Sequence, residues 1–323
     1  MIQSIEQLCD LVELSPDDLP IAFDTDFPFK VPKHFANQIE KGNPNDPLLK
    51  QILPGLAENE IYPGFSPDPV GDLAANPHPS LIHKYHGRAL LIASPRCDIH
   101  CRYCFRRHFP YEQAKQQHWQ AALESIAQDP SIKEVILSGG DPMSLSENAL
   151  IALINDIEAI PHVDTLRIHS RTPIVAPHKA NRPQLLKTLQ QSRLQKVLVV
   201  HCNHANELTS ESAELMQQFR QSDVLLLNQT VLLKDINDSA NALIALSKKL
   251  FSQGILPYYC HLLDKVSGAG HFEIKNAQAW AIFEQMRQTL PGYLVPRFVE
   301  EIAGEPYKTL LTDPSSQGIK PTT

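Results

Sequence analysis

Three cysteines crowd into eight residues of this chain: Cys97, Cys101 and Cys104, in the segment SPRCDIHCRYCFRRHFPY. Their spacing is Cys-x3-Cys-x2-Cys. Three thiolates on one tight loop can bind three irons of a four-iron cubane, which leaves the fourth iron without a protein ligand. An iron with an open position can take a small molecule directly, as a catalytic metal with a free site does. On spacing alone, other readings stay open. The three sulfurs with His100 or His108 could hold zinc. Cys101 and Cys104 could form a redox pair, although Arg106 and Arg107 follow them in place of a thioredoxin-like context. Unliganded thiols are a third reading, although Arg and His neighbours do not look like core. Cys9, Cys202 and Cys260 are scattered, and the last two read as small hydrophobes. Clustering of this kind argues for metal rather than disulfides.

A second polar motif, Ser138-Gly139-Gly140-Asp141-Pro142, follows a run of apolar residues. Paired glycines let backbone come close to a ligand, and the adjacent carboxylate can accept from an ammonium. Further polar groups (HSRT, HCNHANE, NQT and HLLDK) likewise close apolar runs.

The runs themselves are RALLIAS, KEVILSG, TLRIHS, KVLVVHC, VLLLNQT, ILPYYCHL and YLVPRFV, with the first core strand at Ala89–Ser94. Between most of them lie amphipathic stretches: Gln117–Ala127, Glu147–Ala159, Pro183–Gln191, Ser210–Arg220, Ala240–Phe251 and Ala277–Thr289. Continuous apolar strands alternating with helices predict a parallel sheet covered outside by helices. Polar residues at the ends of many strands favour a barrel, complete or partial, over an open sheet with one switch point. The first 80 or so residues are rich in Pro and Asn and predict short helices and extended connections packed on that core.

The 323 residues carry 29 Lys and Arg against 36 Asp and Glu, a formal charge of -7, so nucleic acid is not expected as a main partner. Hydrophobic residues at 42% and charged residues at 20% suit a folded globular chain. No apolar run approaches the roughly 20 residues of a membrane helix, so no membrane partner is expected. The opening residues, MIQSIEQLCDLVELSPDDLP, hold acids where a leader holds lysines; they read as an amphipathic helix, and the expected location is cytoplasmic.

The cysteine segment resembles a known family. CxxxCxxC with an aromatic residue, Tyr103, before its third cysteine, after the first strand of a βα array, is similar to the motif of the radical S-adenosylmethionine (SAM) superfamily. The resemblance implies a [4Fe-4S] cluster on Cys97, Cys101 and Cys104 whose open iron chelates the amino and carboxylate groups of SAM. Reductive cleavage of SAM then yields a 5′-deoxyadenosyl radical. It implies that the turn at Gly139, Gly140 and Asp141 holds the SAM amino group. The fold implied is α/β, a partial (β/α) barrel of the radical SAM type. Residues 1–85 would form an N-terminal, mainly helical extension, residues 86–311 the barrel and residues 312–323 a tail.

The likeness narrows to the lysine 2,3-aminomutases. HKYHGR, CRYCFRR, LSGGDP, RIHSRTP, HCNHANE, NQTVLLKDIND, PYYCHLLDKVSGAGHF and GYLVP…GEPYKT resemble segments of that family in the same order, from about residue 80 to residue 311. The chain is most similar to members that make (R)-β-lysine for modifying elongation factor P, which implies a link to that factor and its lysyl-ligating enzyme. Longer members carry C-terminal cysteines tied to zinc; no cysteine follows Cys260, so no such zinc is expected.

Family chemistry adds pyridoxal 5′-phosphate (PLP), whose aldehyde condenses with a lysine amine. The matching residue is Lys308, in a segment with one glycine where long members have a run. Tyr85 and Arg88 match contacts to the PLP phosphate, with Lys84 replacing a family arginine and giving up its bidentate fork. For the substrate, L-lysine, Arg106 matches the grip on the carboxylate. Asp264 and Glu301 match the acids for the distal ammonium, Glu301 standing where longer members have Asp. His201, Asn203, His204, Asn228 and Gln229 are expected to line the SAM and PLP cavity. The implied reaction converts (S)-α-lysine to (R)-β-lysine: hydrogen leaves the β-carbon, nitrogen migrates from α to β, hydrogen returns and SAM re-forms. Two other readings remain: a radical SAM aminomutase for another amino acid such as glutamate, and a non-catalytic iron–sulfur or zinc module.

Overall fold

The computed structural model describes residues 1–113 and 118–314. Nine strands follow one another in a single sheet in chain order: β1 (Leu81–Tyr85), β2 (Arg88–Ser94), β3 (Glu134–Gly139), β4 (Thr165–Ser170), β5 (Gln195–His201), β6 (Val224–Val231), β7 (Leu256–His261), β8 (Arg297–Glu300) and β9 (Thr309–Leu310). β2 to β8 run parallel, and β1 and β9 flank them antiparallel. No ladder joins β9 to β1 among the described residues, so the barrel is incomplete. Side chains span the gap instead: Lys84 of β1 lies 3.0 Å from Glu301, just past β8. The partial α/β barrel expected from the sequence is therefore what the chain forms.

The seven parallel strands coincide with the seven apolar runs. In β4 the alternation is clear: Leu166 and Ile168 are buried in the core shared with the helices, while Arg167 and His169 turn to the interior cavity. The outer helices carry matching stripes. Glu147–Glu158 buries Leu150, Leu153, Ile154 and Ile157, the i, i+3, i+4, i+7 pattern of one helical face, and the Ser146 hydroxyl caps its first turn. Ser210–Gln221 opens on a reciprocal cap between Thr209 and Ser212 and buries Leu215, Met216 and Phe219. The helix expected from Gln117 begins at Trp119, its predicted first residue lying outside the described ones. Of the expected tail, residues 315–323 also lie outside them.

The N-terminal region does more than cover the barrel. Its apolar residues, among them Leu8, Phe35, Leu48 and Ile52, form a cluster that includes Ile99 of the cysteine loop and Val175. One acid from this region clamps the loop. Arg102 is fully buried and donates from Nε and Nη2 to the two Glu58 oxygens at 2.7 and 2.6 Å, and Arg107 Nη2 donates to Oε2 at 2.7 Å. Phe27 packs against both guanidinium groups, at 4.9 and 4.7 Å. Burial opposes the Glu58 charge, but the two arginines hold its carboxyl below the usual range. A buried cation pair of this kind is stable only while its acid is present, so the N-terminal region fixes the loop that carries the three cysteines.

Candidate active site

A cavity of about 870 Å³ fills the barrel interior. Its lining includes Cys97, Cys101 and Cys104; Gly139, Gly140 and Asp141; Tyr85, Arg88, Arg106, His201, Asp264, Glu301 and Lys308. Sequence reasoning drew these residues from segments more than 200 positions apart, and the topology gathers all of them on one wall or another of this space. The loop after β2 brings the cysteines and Arg106, the turn after β3 the glycines, and the loops after β7 and β8 bring Asp264, Glu301 and Lys308.

The cysteine loop is a chain of tight turns, with Cys104 N donating to Cys101 O at 3.1 Å and Arg107 N to Cys104 O at 3.1 Å. All three thiols are partly accessible from the cavity. Burial raises the Cys97 thiol well above its ordinary value and the Cys104 thiol to about 11, each pushed further by its neighbouring cysteines. The bare Cys97 and Cys104 thiols are therefore protonated, and a thiophilic metal would displace those protons. Among the described residues no three His, Cys, Asp or Glu side chains converge on one point as ligands of a single metal ion must. A cubane makes no such demand, because its thiolates sit on different irons. Donor type, loop and cavity exposure fit an iron–sulfur cluster.

The glycine turn has a structural job in addition to facing the cavity. Gly139 has φ +117°, and a Cβ there would lie 2.7 Å from Ser94 O. A Cβ on Gly140 would lie 2.7 and 2.8 Å from the carbonyl carbon and the nitrogen of Arg96. What the missing side chains admit is the backbone leading into Cys97. Gly140 N donates to Ser94 O at 2.7 Å and Asp141 N to Arg96 O at 2.6 Å. The turn thus holds the cysteine loop against the strand end while its own edge faces the cavity. Gly140→Ala should lower stability by about 1–3 kcal/mol, since the backbone it meets cannot rotate away. Thermal unfolding, with reconstituted iron content, checks this.

Asp141 is likewise committed. Its Oδ1 accepts from Met143 N at 2.9 Å and Ser170 Oγ at 2.7 Å; its Oδ2 accepts from Arg171 N at 2.8 Å and Thr172 N at 2.9 Å. Four donors on one buried carboxylate tie β3 to the end of β4. Arg171, which sequence reasoning passed over, extends this network. Its Nη1 donates to Cys101 Sγ at 2.6 Å and Tyr103 Oη at 2.5 Å, and its Nη2 to Gln51 Oε1 at 2.7 Å and Glu207 Oε2 at 3.0 Å. His201 stacks on Tyr103 with ring planes 14° apart and shares a 3.0 Å hydrogen bond with its hydroxyl. Burial and then Arg171 hold His201 well below its usual pKa, so the ring is neutral.

Three expected lining residues are placed elsewhere. Asn203 accepts from Val231 N, Asn228 exchanges hydrogen bonds with the Cys202 backbone, and His204 caps a short turn through Asn206 N. They brace strand ends, whereas Gln229 does reach the cavity.

A line of charge, starting from Arg106 in the cysteine loop, also lines the cavity. Arg106 Nε donates to Asp72 Oδ2 at 2.7 Å; Lys84 Nζ lies 2.6 Å from Asp72 Oδ1 and 3.0 Å from Glu301 Oε1; Glu301 Oε2 pairs with Lys308. Burial works against the Glu301 charge, but Lys308 and Lys84 hold it down at about 2. Lys308 is therefore a cavity residue and not part of a solvated tail. Lys84 also donates to Val70 O at 2.7 Å, so its three N–H bonds are spent and none is left for a phosphate. Arg88 is free of such commitments: its guanidinium lies 4.7 Å over the Tyr85 ring, and its buried Nε has no partner among the described residues. Burial and Glu301 raise the Tyr85 hydroxyl. Asp264 forms no ion pair among the described residues, and burial, with Glu301 nearby, pushes it up to about 7.

Comparison with known proteins accords with this geometry. A 4Fe-4S single cluster domain profile matches residues 86–222. The chain is 47% identical over 287 residues to the L-lysine 2,3-aminomutase of Escherichia coli (strain K12), covering 88% of this chain and 83% of that one. It is 47% identical over 289 residues to the enzyme of the same name from Haemophilus influenzae, covering 89% and 85%. To that of Clostridium subterminale it is 34% identical over 279 residues, covering 85% of this chain and 67% of the other. In fold it is similar to the crystal structure of Streptococcus suis SuiB bound to S-adenosylmethionine, with a TM-score of 0.51 and 16% identity over 68% of this chain, which spans about half (51%) of SuiB. Shared residues at this level over most of both chains leave one conclusion: the chain belongs to the L-lysine 2,3-aminomutase family of isomerases.

Proposed function

We propose that this protein moves the α-amino group of free L-lysine to the β-carbon, using a [4Fe-4S] cluster, SAM and PLP. The observation that carries the reading is Asp264: a cavity acid that forms no ion pair among the described residues, near Glu301 and lining the same cavity as Arg106. An unpaired, partly buried carboxylate is a receptor for a cation, and the guanidinium is a receptor for a carboxylate. Lysine presents both groups; glutamate would bring an anion to the acids.

Cys97, Cys101 and Cys104 would hold the cluster, the cavity edge of Gly139 and Gly140 with His201 would flank SAM, and Lys308, Tyr85 and Arg88 would hold PLP. When bound, the cluster with SAM supplies a hydrogen-abstracting radical, and PLP supplies the carbonyl carbon through which an amino nitrogen can shift. The chain's own part is placement. Arg106 fixes the carboxylate and Asp264 with Glu301 fixes the ammonium, so the α- and β-carbons lie between them. Glu301 Oε2 holds the Lys308 ammonium when that amine is free. The barrel wall excludes water from a reactive carbon centre. Arg88, with its unpartnered Nε, offers the phosphate a donor that Lys84 no longer has.

Affinity for lysine should fall as pH drops through about 7, because Asp264 then takes up a proton and loses its charge. The lysine ammonium keeps its proton throughout that range. Asp264→Asn should remove this pH dependence in an equilibrium titration.

The product's destination is proposed to be modification of elongation factor P in the cytoplasm, by way of that factor's lysyl-ligating enzyme. The ordered sequence segments support this. The function is tested by anaerobic incubation with L-lysine, SAM, PLP and reductant, followed by chromatography of the amino acids. β-Lysine is expected; conversion of glutamate with lysine untouched would refute the substrate assignment, and elongation factor P lacking a β-lysyl mass only in cells without this protein would support the destination.

A further inference from the structure

Asp72 lies in the Pro- and Asn-rich stretch before β1, where no motif singles it out. The structure builds it in with care. Gly71 turns the chain at φ +68°, and the Asp68 carboxylate accepts from Asp72 N at 2.9 Å and Leu73 N at 3.1 Å. The Asp72 side chain is 4% exposed and sits between two cations: Arg106 Nε at 2.7 Å on Oδ2 and Lys84 Nζ at 2.6 Å on Oδ1. Burial opposes its charge, and those two cations hold it below the usual carboxylate range.

A guanidinium has five N–H donors in a fixed fork. In Arg106 the Nε–H is taken by Asp72, and one Nη1–H goes to Ser138 Oγ at 3.2 Å. Nη2 has no hydrogen-bond partner among the described residues, and Arg106 lines the cavity. The geometry points to Asp72 as the positioning residue that turns Arg106 so that its Nη edge faces the cavity as a bidentate receptor for the substrate carboxylate. Through Lys84, which it shares with Glu301, Asp72 also ties this receptor to the acid at the far end, so the spacing of the two receptors is set by one line of alternating charge.

An amide in place of this carboxylate keeps one acceptor oxygen but turns N–H donors toward one of the two cations. Asp72→Asn therefore frees or repels either Arg106 or Lys84. Against this, losing an anion beside Arg106 strengthens its bare pull on a carboxylate. Orientation should dominate, because the carboxylate bond needs two aligned donors.

The inference rests on the proposed grip of Arg106 on the carboxylate, and the experiment separates the two. Equilibrium binding of L-lysine and of 1,5-diaminopentane, which has both amines but no carboxylate, is measured by PLP absorbance on reconstituted protein. Asp72→Asn should weaken lysine by about ten- to a hundredfold, the usual loss for a partner that orients a ligand-binding group, and diaminopentane by less than about twofold. Asp72→Glu, which restores the charge at a longer reach, should recover part of the lysine affinity. Equal weakening of both ligands would mean a merely structural role, and unchanged or tighter lysine binding would mean that Asp72 competes for Arg106; either overturns the inference alone. Arg106→Gln losing no more lysine than diaminopentane affinity would overturn the carboxylate assignment itself, and the inference with it.

Discussion

Replacing Lys308 by alanine should abolish lysine isomerisation, by about a thousandfold or more, and release PLP from covalent attachment while leaving the iron chromophore intact. On the proposed reading Lys308 forms the covalent bond to PLP, and the neighbouring Lys84 is already held by Asp72, Glu301 and Val70 O, so the loss should be among the largest that single substitutions produce. Fold should survive, because Glu301 keeps Lys84 at 3.0 Å when Lys308 is removed. Lys308→Arg sharpens the test. Arginine preserves the ion pair with Glu301 but cannot condense with an aldehyde at neutral pH. If Lys308 served only to neutralise Glu301, the arginine variant would turn over at near the normal rate. Absorbance of bound PLP, iron content and product formation, measured on both variants, distinguish these cases.

The second large effect falls on the cysteine loop. Cys101→Ala should leave the protein unable to retain a four-iron cluster, with iron and acid-labile sulfide both near background after anaerobic reconstitution. Two remaining thiols cannot anchor a cubane that already lacks one protein ligand. The same change removes the sulfur that Arg171 Nη1 meets at 2.6 Å, but the guanidinium keeps Tyr103, Gln51 and Glu207, so the site should stay folded. Cys202→Ala and Cys260→Ala are the controls. Both residues are fully buried at the ends of β5 and β7, and neither lines the cavity. Those variants should bind iron and sulfide normally. Zinc without sulfide in the unmodified protein would instead favour a structural metal module.

The parallel strands were readable because each is a continuous apolar run bounded by helix, and the cavity residues because their motifs stand at the strand ends. The antiparallel β1 and β9 were not. Their five and two residues carry too little apolar signal, and HKYHGR draws attention as a charge cluster rather than as one arm of a hairpin. The motif at Gly139, Gly140 and Asp141 does line the cavity, but local sequence could not show that its glycines also admit the Arg96 backbone or that its carboxylate also takes four donors from the protein. Asp72, Glu58 and Gln51 were invisible for a related reason. Each is a lone polar residue in an irregular stretch, and each finds its partner far away in the chain, as Gln51 does in Glu207. Lys84 shows the converse: its position beside Tyr85 suggested a phosphate contact, and only the fold reveals the two acids that claim it.

The proposed chemistry requires three sulfurs to hold a cluster with one uncommitted iron, and electron paramagnetic resonance tests that directly. Reconstituted protein reduced with dithionite should give the signal of a paramagnetic four-iron cluster, and SAM should change its shape by binding at the open iron. A colourless protein with no signal, or a signal indifferent to SAM, would contradict it.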